Sequence, residues 1–286
     1  MGELIPLFPL GTPLFPGVVL PLQIFEPRYR RLMQDLEAHP EDGDRRFFGV
    51  VAIRQGWEVE KVAPAEALYD IGCTARLQRV VPQSDGGFRI VTVGGDRFRI
   101  LDVIVGEDPP YLQAEVEWLA EEEAAEEAAG NSEGIVAPGE DRPDEAEVLD
   151  DIVASVARGS MDVLVRGVRS LFTGYVAEVA ALGAGRGRGR GLPEEPELSE
   201  VLGNGQSAEA AVLLRAVADD PEALSWLVAS VSLLTTEDRQ ALLAESATRR
   251  RLVAESRLLR RELTLLRELG AVPVPLQEFA TPMTVN

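Results

Sequence analysis

The chain has 286 residues, 45% of them apolar, which is enough material for a hydrophobic core and a length typical of two structural units. Its net charge of −20 disfavours binding to a nucleic-acid phosphate backbone, which requires a surplus of lysine and arginine. No stretch approaches the roughly 18–20 apolar residues of a membrane helix. No signal peptide is recognisable, and a single cysteine cannot form an internal disulfide. These features favour a cytoplasmic protein with no membrane partner.

Residues 1–119 have the pattern of short strands interrupted by one helix. Pro27 marks the start of the helix, in which Tyr29, Leu32, Met33 and Leu36 recur at helical spacing. Turn residues at 84–87 and at 94–96 separate the later strands. Six closely spaced strands predict a small barrel or sandwich. The predicted strands are Glu3–Pro9, Phe47–Ile53, Ile71–Val81, Phe88–Val93, Arg97–Val105 and Tyr111–Leu119.

Residues 120–147 are rich in acids, alanine and glycine and contain almost no large apolar side chains. Such a segment cannot bury enough surface to offset the entropy of ordering its chain, so it is predicted to be a flexible linker. The first 119 residues therefore form a β-rich subdomain in this interpretation, and the chain resumes its folded part at residue 148.

Residues 148–270 have helical periodicity and are predicted to form an α-helical bundle, followed by an extended tail over 271–286. A break is expected near Gly159-Ser160. Asp220-Pro221-Glu222 is a good helix start, and Thr235 with Asp238 resembles a capping box for the last and longest helix. That helix carries an apolar stripe, which would pack within the bundle or, alternatively, form a homodimer. The stripe is Leu252, Leu259 and Leu266, with Leu263 and Leu269 beside it.

Searches for catalytic and ligand-binding motifs give no site, so no enzyme activity, cofactor or metal is expected. The only lysine, Lys61, follows no glycine loop, which excludes a phosphate-binding GxxxxGK[ST] motif. Because this lysine lies in the N-terminal β region, a Ser–Lys dyad of a protease domain is also excluded. His39 lies in a polar loop, and one histidine with one cysteine cannot form a structural zinc site. Gly203–Ala208 matches GxGxxA without a preceding strand, so Ser207 as a helix cap is the simpler interpretation. The Arg-Gly repeat at 185–191 is interpreted as a hinge; RNA binding is the alternative.

Three segments near the N-terminus resemble the N-terminal substrate-binding domain of the Lon protease (peptidase S16) family. They are LIPLFPL at 4–10, LFPG at 14–17 and LPLQIFEPRY at 20–29. Weaker matches follow in the family's order, so that the resemblance covers about residues 3–119 and 208–269. It implies an α+β fold, in which a β-rich, PUA-like pseudo-barrel is followed by an α-helical bundle.

The resemblance also implies a function. In full-length Lon this region helps to engage substrates, and ATPase and protease domains follow it. Because the sequence motifs of the ATPase and protease domains are missing, we expect a non-catalytic protein- or peptide-binding module that acts as an adaptor in proteolysis or quality control. Its expected partners are unfolded or specific client polypeptides and a separate protease or chaperone. The alternatives are an accessory subunit of a Lon-like peptidase and an RNA-binding PUA-like protein.

The residues of these three segments differ in their expected positions. Phe8, Ile24 and Phe25 are predicted to be mainly core residues. The Leu14-Phe15-Pro16 turn places two large apolar residues in a loop, where exposure would suit binding to an unfolded segment and burial under the helices is the competing interpretation. The candidate peptide-binding residues are Leu14, Phe15, Pro16, Phe25 and Tyr29.

Overall fold

The computed structural model describes residues 2–39, 45–54, 64–121, 143–186, 214, 216–217 and 220–270. The strands are β1 (Glu3–Leu10), β2 (Val19–Ile24), β3 (Phe47–Ile53), β4 (Leu68–Pro82), β5 (Phe88–Ile104) and β6 (Gln113–Leu119). The helices are α1 (Pro27–Glu37), α2 (Pro64–Ala67), α3 (Pro143–Arg186), α4 (Pro221–Val231), α5 (Thr236–Ala244) and α6 (Thr248–Leu269). The predicted α+β class is confirmed.

The chain divides into two compact units. The first contains the residues up to Ala120 together with Ala229–Ala244, and the second contains the described parts of Glu121–Val228 and Glu245–Val272. The segment Ala229–Ala244, which includes α5, therefore groups with the strands, although it falls within the range 148–270 expected to form the helical bundle.

The first unit is built on a sheet that closes on itself. Its strand order is β2-β5-β4-β3-β1-β6, and β6 pairs back onto β5. Among the described strand pairs, β1 with β3 is the only parallel one. The long β5 makes closure possible, because its first half pairs with β2 and its second half with β6. Among the described strands, β2 is thus left at an edge, with β5 as its neighbour.

The core of this barrel consists of the inward side chains of its alternating strands. Gly72 in β4 lets the ring of Phe98 cross the barrel, since a Cβ atom at Gly72 would overlap that ring. On α1, the helical side chains expected to face the core are all buried. The central cluster is Ile5, Leu7, Val51, Leu68, Phe98, Ala114 and Val116.

One strand prediction is wrong, and one strand was not predicted. The expected turn at 94–96 is absent, because β5 runs without a break from Phe88 to Ile104. Gly94 instead allows the backbone of Phe15 to approach β5 closely, because a Cβ atom at position 94 would overlap that backbone. Strand β2 was not predicted, since its residues are interrupted by Pro21. The turn at 84–87 is confirmed, with Gly86 at φ 78° and the Asp85 carboxylate accepting a hydrogen bond from the Gly87 N–H at 2.9 Å.

The helices differ from the prediction in three places. Helix α3 begins at Pro143, inside the range expected to be linker, and it continues through Gly159-Ser160, where a break was expected. The capping box at Thr235 opens the short α5, and a separate helix, α6, begins at Thr248. The longest described helix is α3. Residues 122–142, 187–213 and 271–286, which include most of the predicted linker, part of the Arg-Gly repeat, the GxGxxA segment and the tail, lie outside the described residues.

Two local helix-start signals in the sequence form the expected hydrogen bonds. Helix α4 begins at Pro221, and the Asp220 carboxylate accepts a hydrogen bond from the Ala223 N–H at 2.9 Å. Thr235 and Asp238 form the expected capping pair, in which the Thr235 hydroxyl accepts from the Asp238 N–H at 3.2 Å. Both signals act within four residues, so they do not depend on the tertiary fold.

Helix α5 is fixed to the barrel by side chains that satisfy buried carbonyl groups. The buried Arg97 guanidinium donates to the carbonyl of Leu243, at the end of α5, at 2.8 Å. The Gln240 amide donates to the carbonyl of Ile71 at 2.8 Å. Because a helix leaves its last carbonyls without intrahelical partners, the arginine acts as a C-terminal cap supplied by β5.

The close approach at Gly94 gives a stability prediction. Gly94→Ala is expected to lower the free energy of unfolding by about 1–3 kcal/mol, because the methyl group would displace the Phe15 backbone. Gly106→Ala is the control, since the nearest atom to its Cβ position is 3.8 Å away. Urea denaturation followed by fluorescence measures both variants. Equal stabilities for the two would contradict the tight packing at Gly94.

Candidate functional site

The loop before β2 does not present its apolar residues to solvent. Leu14 and Phe15 are only 4% and 1% exposed, and Pro16 is half-buried. The Arg239 guanidinium of α5 lies 5.5 Å from the centroid of the Phe15 ring. Of the two interpretations of this loop, burial under a helix is therefore the one that describes Leu14 and Phe15.

Phe25 has the opposite outcome. Phe8 and Ile24 are buried as predicted, but 63% of Phe25 is exposed. It occupies the two-residue connection between β2 and α1, so neither the alternation of the strand nor the apolar face of the helix directs it to the core. Phe25 is thus the one motif residue predicted to be core that the fold leaves accessible.

A cavity of about 300 Å³ lies beside Phe25. We call it the Phe25 pocket. It is formed by the end of β1, the end of β2, the start of α1 and the end of β3. Its lining residues are Phe8, Pro9, Leu10, Leu22, Gln23, Ile24, Phe25, Glu26, Arg28, Tyr29 and Ile53. Of the five candidate residues, the pocket brings together Phe25 and Tyr29 and leaves out Leu14, Phe15 and Pro16.

The pocket floor is aromatic and its polar groups are neutral or paired. The rings of Tyr29 and Phe8 lie 4.1 Å apart between centroids. Burial raises the pKa of Tyr29 to about 12, Arg28 lowers it and Glu26 raises it, so the phenol is neutral at physiological pH. Arg28 lies 4.7 Å from the centroid of the Tyr29 ring and forms a 2.8 Å ion pair with Glu26. Such a surface can bind an apolar side chain.

Other candidate chemistry is not assembled in the described parts of the chain. No group of three or more His, Cys, Asp or Glu side chains that could hold a metal ion occurs there. Cys73 is fully buried in β4, and burial raises the pKa of its thiol to about 12. His39, which its sequence places in a polar loop, is exposed. Among the described helices, none is long and apolar enough to cross a membrane.

Several pocket residues were not predicted from the sequence, among them Gln23, Arg28 and Ile53. One signal was present. Pro21 lies in a period-2 pattern, and proline within a strand indicates an edge position because it has no N–H to donate. Ile53 carries no such signal, since it reaches the pocket through the pairing of β3 with β1.

A family model of the ATP-dependent protease La (LON) substrate-binding domain matches residues 4–261. The chain belongs to the Lon substrate-binding domain family. The resemblance carried by the three N-terminal segments is thereby confirmed. Both the barrel with the Phe25 pocket and the described helices up to the last turns of α6 lie within the matched range.

Curated relatives of this Lon-family chain are Lon proteases of bacteria. Lon protease 1 of Herpetosiphon aurantiacus is 25% identical over 257 residues, which are 90% of this chain and 24% of that protein. Lon protease 2 of Syntrophobacter fumaroxidans is 33% identical over 109 residues, which are 38% of this chain and 13% of that protein. The chain therefore spans a quarter or less of the length of these two relatives.

Solved structures similar to this Lon-family chain are also Lon N-terminal domains. The crystal structure of a Lon N-terminal domain protein from Xanthomonas campestris is 20% identical, with a TM-score of 0.48, and the match covers 90% of this chain and 98% of that one. The N-terminal domain of the Mycobacterium avium complex Lon protease is 16% identical, with a TM-score of 0.45 and the same coverage.

Proposed function

We propose that this Lon-family chain is a non-catalytic module that binds client polypeptides at the Phe25 pocket. The observation that carries the proposal is Phe25 itself, a large apolar side chain that is 63% exposed beside a cavity of about 300 Å³. Exposed apolar surface next to a concave site is typical of a binding surface. The family name, a substrate-binding domain, supports the same assignment.

The chemistry of the pocket favours binding over reaction. Its polar side chains are Gln23, Glu26, Arg28 and Tyr29. The Glu26 carboxylate is paired with Arg28, and the raised pKa of Tyr29 keeps its hydroxyl protonated. Nucleophilic catalysis requires a nucleophile with an adjacent base, and these four side chains do not include such a pair. We therefore assign the pocket to an apolar side chain of an unfolded client segment.

Cytoplasmic location and an adaptor role complete the proposal. A bound client would be passed to a separate protease or chaperone, and no ATP would be needed for the binding step itself. The rival assignments, an accessory subunit of a Lon-like peptidase and an RNA-binding protein, make different predictions. The first requires peptide cleavage by the purified protein alone or with its partner, and the second requires salt-dependent binding of the protein to RNA.

Removing the exposed ring should weaken client binding. Phe25→Ser is expected to raise the Kd for a labelled, permanently unfolded polypeptide about ten-fold or more, because burial of a phenylalanine contributes about 1.5–3 kcal/mol. Fluorescence anisotropy at moderate salt without ATP measures the change. Val105→Ser is the control, since Val105 is 65% exposed and does not line the pocket. Equal Kd values for the two variants would contradict the proposed site.

A further inference from the structure

We propose that the client segment binds in extended form as an added strand on the outer edge of β2, with one apolar side chain in the Phe25 pocket and acidic residues flanking it. This inference rests on the proposed function and specifies how the same site recognises its client. Recognition would then depend mainly on backbone hydrogen bonds, which any sequence can supply, together with one apolar and one electrostatic requirement.

The hydrogen-bond pattern shows which backbone groups of β2 face outward. Val18 is opposite Gly94, and its carbonyl accepts from the Gly94 N–H at 2.8 Å. In an antiparallel pair, the backbone N–H and C=O groups of every second residue face the partner strand. The backbone groups of the even-numbered residues of β2 therefore face β5. Pro21, which has no N–H to donate, is one of the odd-numbered residues, so the ladder to β5 does not need its N–H. The backbone groups of Val19 and Gln23 therefore face away from β5.

This outer edge is accessible and lies next to the pocket. Val19, Pro21 and Gln23 are all exposed, and among the described strands the neighbour of β2 is β5 alone. Gln23 also lines the Phe25 pocket. A strand added here would satisfy the outward N–H and C=O of Gln23 and place one of its alternate side chains beside Phe25.

Charge indicates what should flank the apolar residue. Arg89 is directly opposite Gln23, and Arg79 is opposite Val91, the residue that pairs with Pro21. Both arginines are therefore on the same side of the sheet as the exposed side chains of β2. Both arginine side chains are exposed. An acidic residue in the client would complement these two cations.

Backbone recognition is tested with a fluorescent nonapeptide. Its central residues are valine, threonine and phenylalanine in alternation, and its terminal residues are aspartates. Two derivatives carry N-methyl groups at alternate positions, one set odd and the other even. We expect one set to raise the Kd at least ten-fold and the other to leave it within two-fold, because an added strand donates alternate N–H groups to the edge. Equal effects of the two sets would overturn strand addition. A lysine-ended peptide that binds as tightly would overturn the charge requirement.

Protein variants test the same edge from the other side. Gln23→Pro removes the outward N–H without touching the ladder to β5, whereas Gln23→Ala removes only the side chain. We expect Gln23→Pro to raise the Kd at least ten-fold over Gln23→Ala, with circular dichroism confirming that both fold. If the parent peptide binds and Phe25→Ser weakens it, but methylation and Gln23→Pro do not, strand addition is wrong and the proposed function stands. If the parent peptide does not bind at all, both are wrong.

Discussion

Arg251→Ala is expected to lower the free energy of unfolding of the helical unit by about 3–5 kcal/mol, because it removes the guanidinium that donates to a half-buried carboxylate and to two hydroxyls. Arg251, in α6, is fully buried. Its guanidinium donates to the hydroxyls of Ser225 and Thr248 at 2.7 and 2.9 Å and to the Glu121 carboxylate at 3.2 Å. Urea denaturation followed at 222 nm measures the loss.

Two further contacts fix the same guanidinium. It donates to the backbone carbonyl of Glu245 at 2.7 Å, in the connection between α5 and α6, and lies 3.4 Å from the centroid of the Trp226 ring. Lysine has neither the planar fork nor the stacking surface, so Arg251→Lys should recover only a small part of the stability. Arg257→Ala, on the exposed side of α6, is the control and should change stability by less than about 0.5 kcal/mol. Similar losses at positions 251 and 257 would show that the buried network contributes little.

Glu255→Gln is expected to remove a pH dependence of stability from the helical unit. Glu255 is 1% exposed, and neither of its carboxylate oxygens has a hydrogen-bond partner among the described residues. Burial raises the pKa of Glu255 well above its usual value, and the nearby Arg251 lowers it only in part. The folded protein therefore keeps this proton at pH values at which the unfolded chain has already lost it.

The sign of the effect follows from proton binding. Above the ordinary pKa of about 4.5, the unfolded chain binds fewer protons at this site than the folded protein, so the wild type loses stability as pH rises toward the folded-state pKa. The difference between wild type and Glu255→Gln should change by up to about 1.4 kcal/mol per pH unit in that window, in favour of the variant at high pH. Thermal denaturation from pH 5 to pH 9 measures it. The exposed Glu268→Gln on the same helix is the control; a parallel slope for both variants would rule out a buried, protonated Glu255.

The candidate site was predictable only in part. The sequence indicated Phe25 and Tyr29 as binding residues, and both line the pocket, but it could not choose between them and the buried Leu14 and Phe15. All four carry large, mainly apolar side chains and lie in the N-terminal segments, so residue type alone does not distinguish them. Exposure is decided by what packs on each of them, and the element that covers Phe15 is more than 200 residues away in the chain.

Local signals in the sequence determined much of the secondary structure. The turn at 84–87, the start of α1 at Pro27 and the start of α4 at Pro221 were all predicted, because each depends on backbone preferences within four or five residues. The family was also determined by the sequence, since three ordered segments carry it.

The tertiary structure decided what these signals leave open. Gly94 continues a strand where a turn was expected, because its missing side chain admits the Phe15 backbone. Helix α5 joins the barrel unit, because Arg97 and Gln240 bond to carbonyl groups that only the folded barrel brings within reach. Phe25 remains exposed because the chain changes there from strand to helix. For Gly94 and for α5 the deciding contact joins residues far apart in the chain, and a single sequence does not specify which of them will meet.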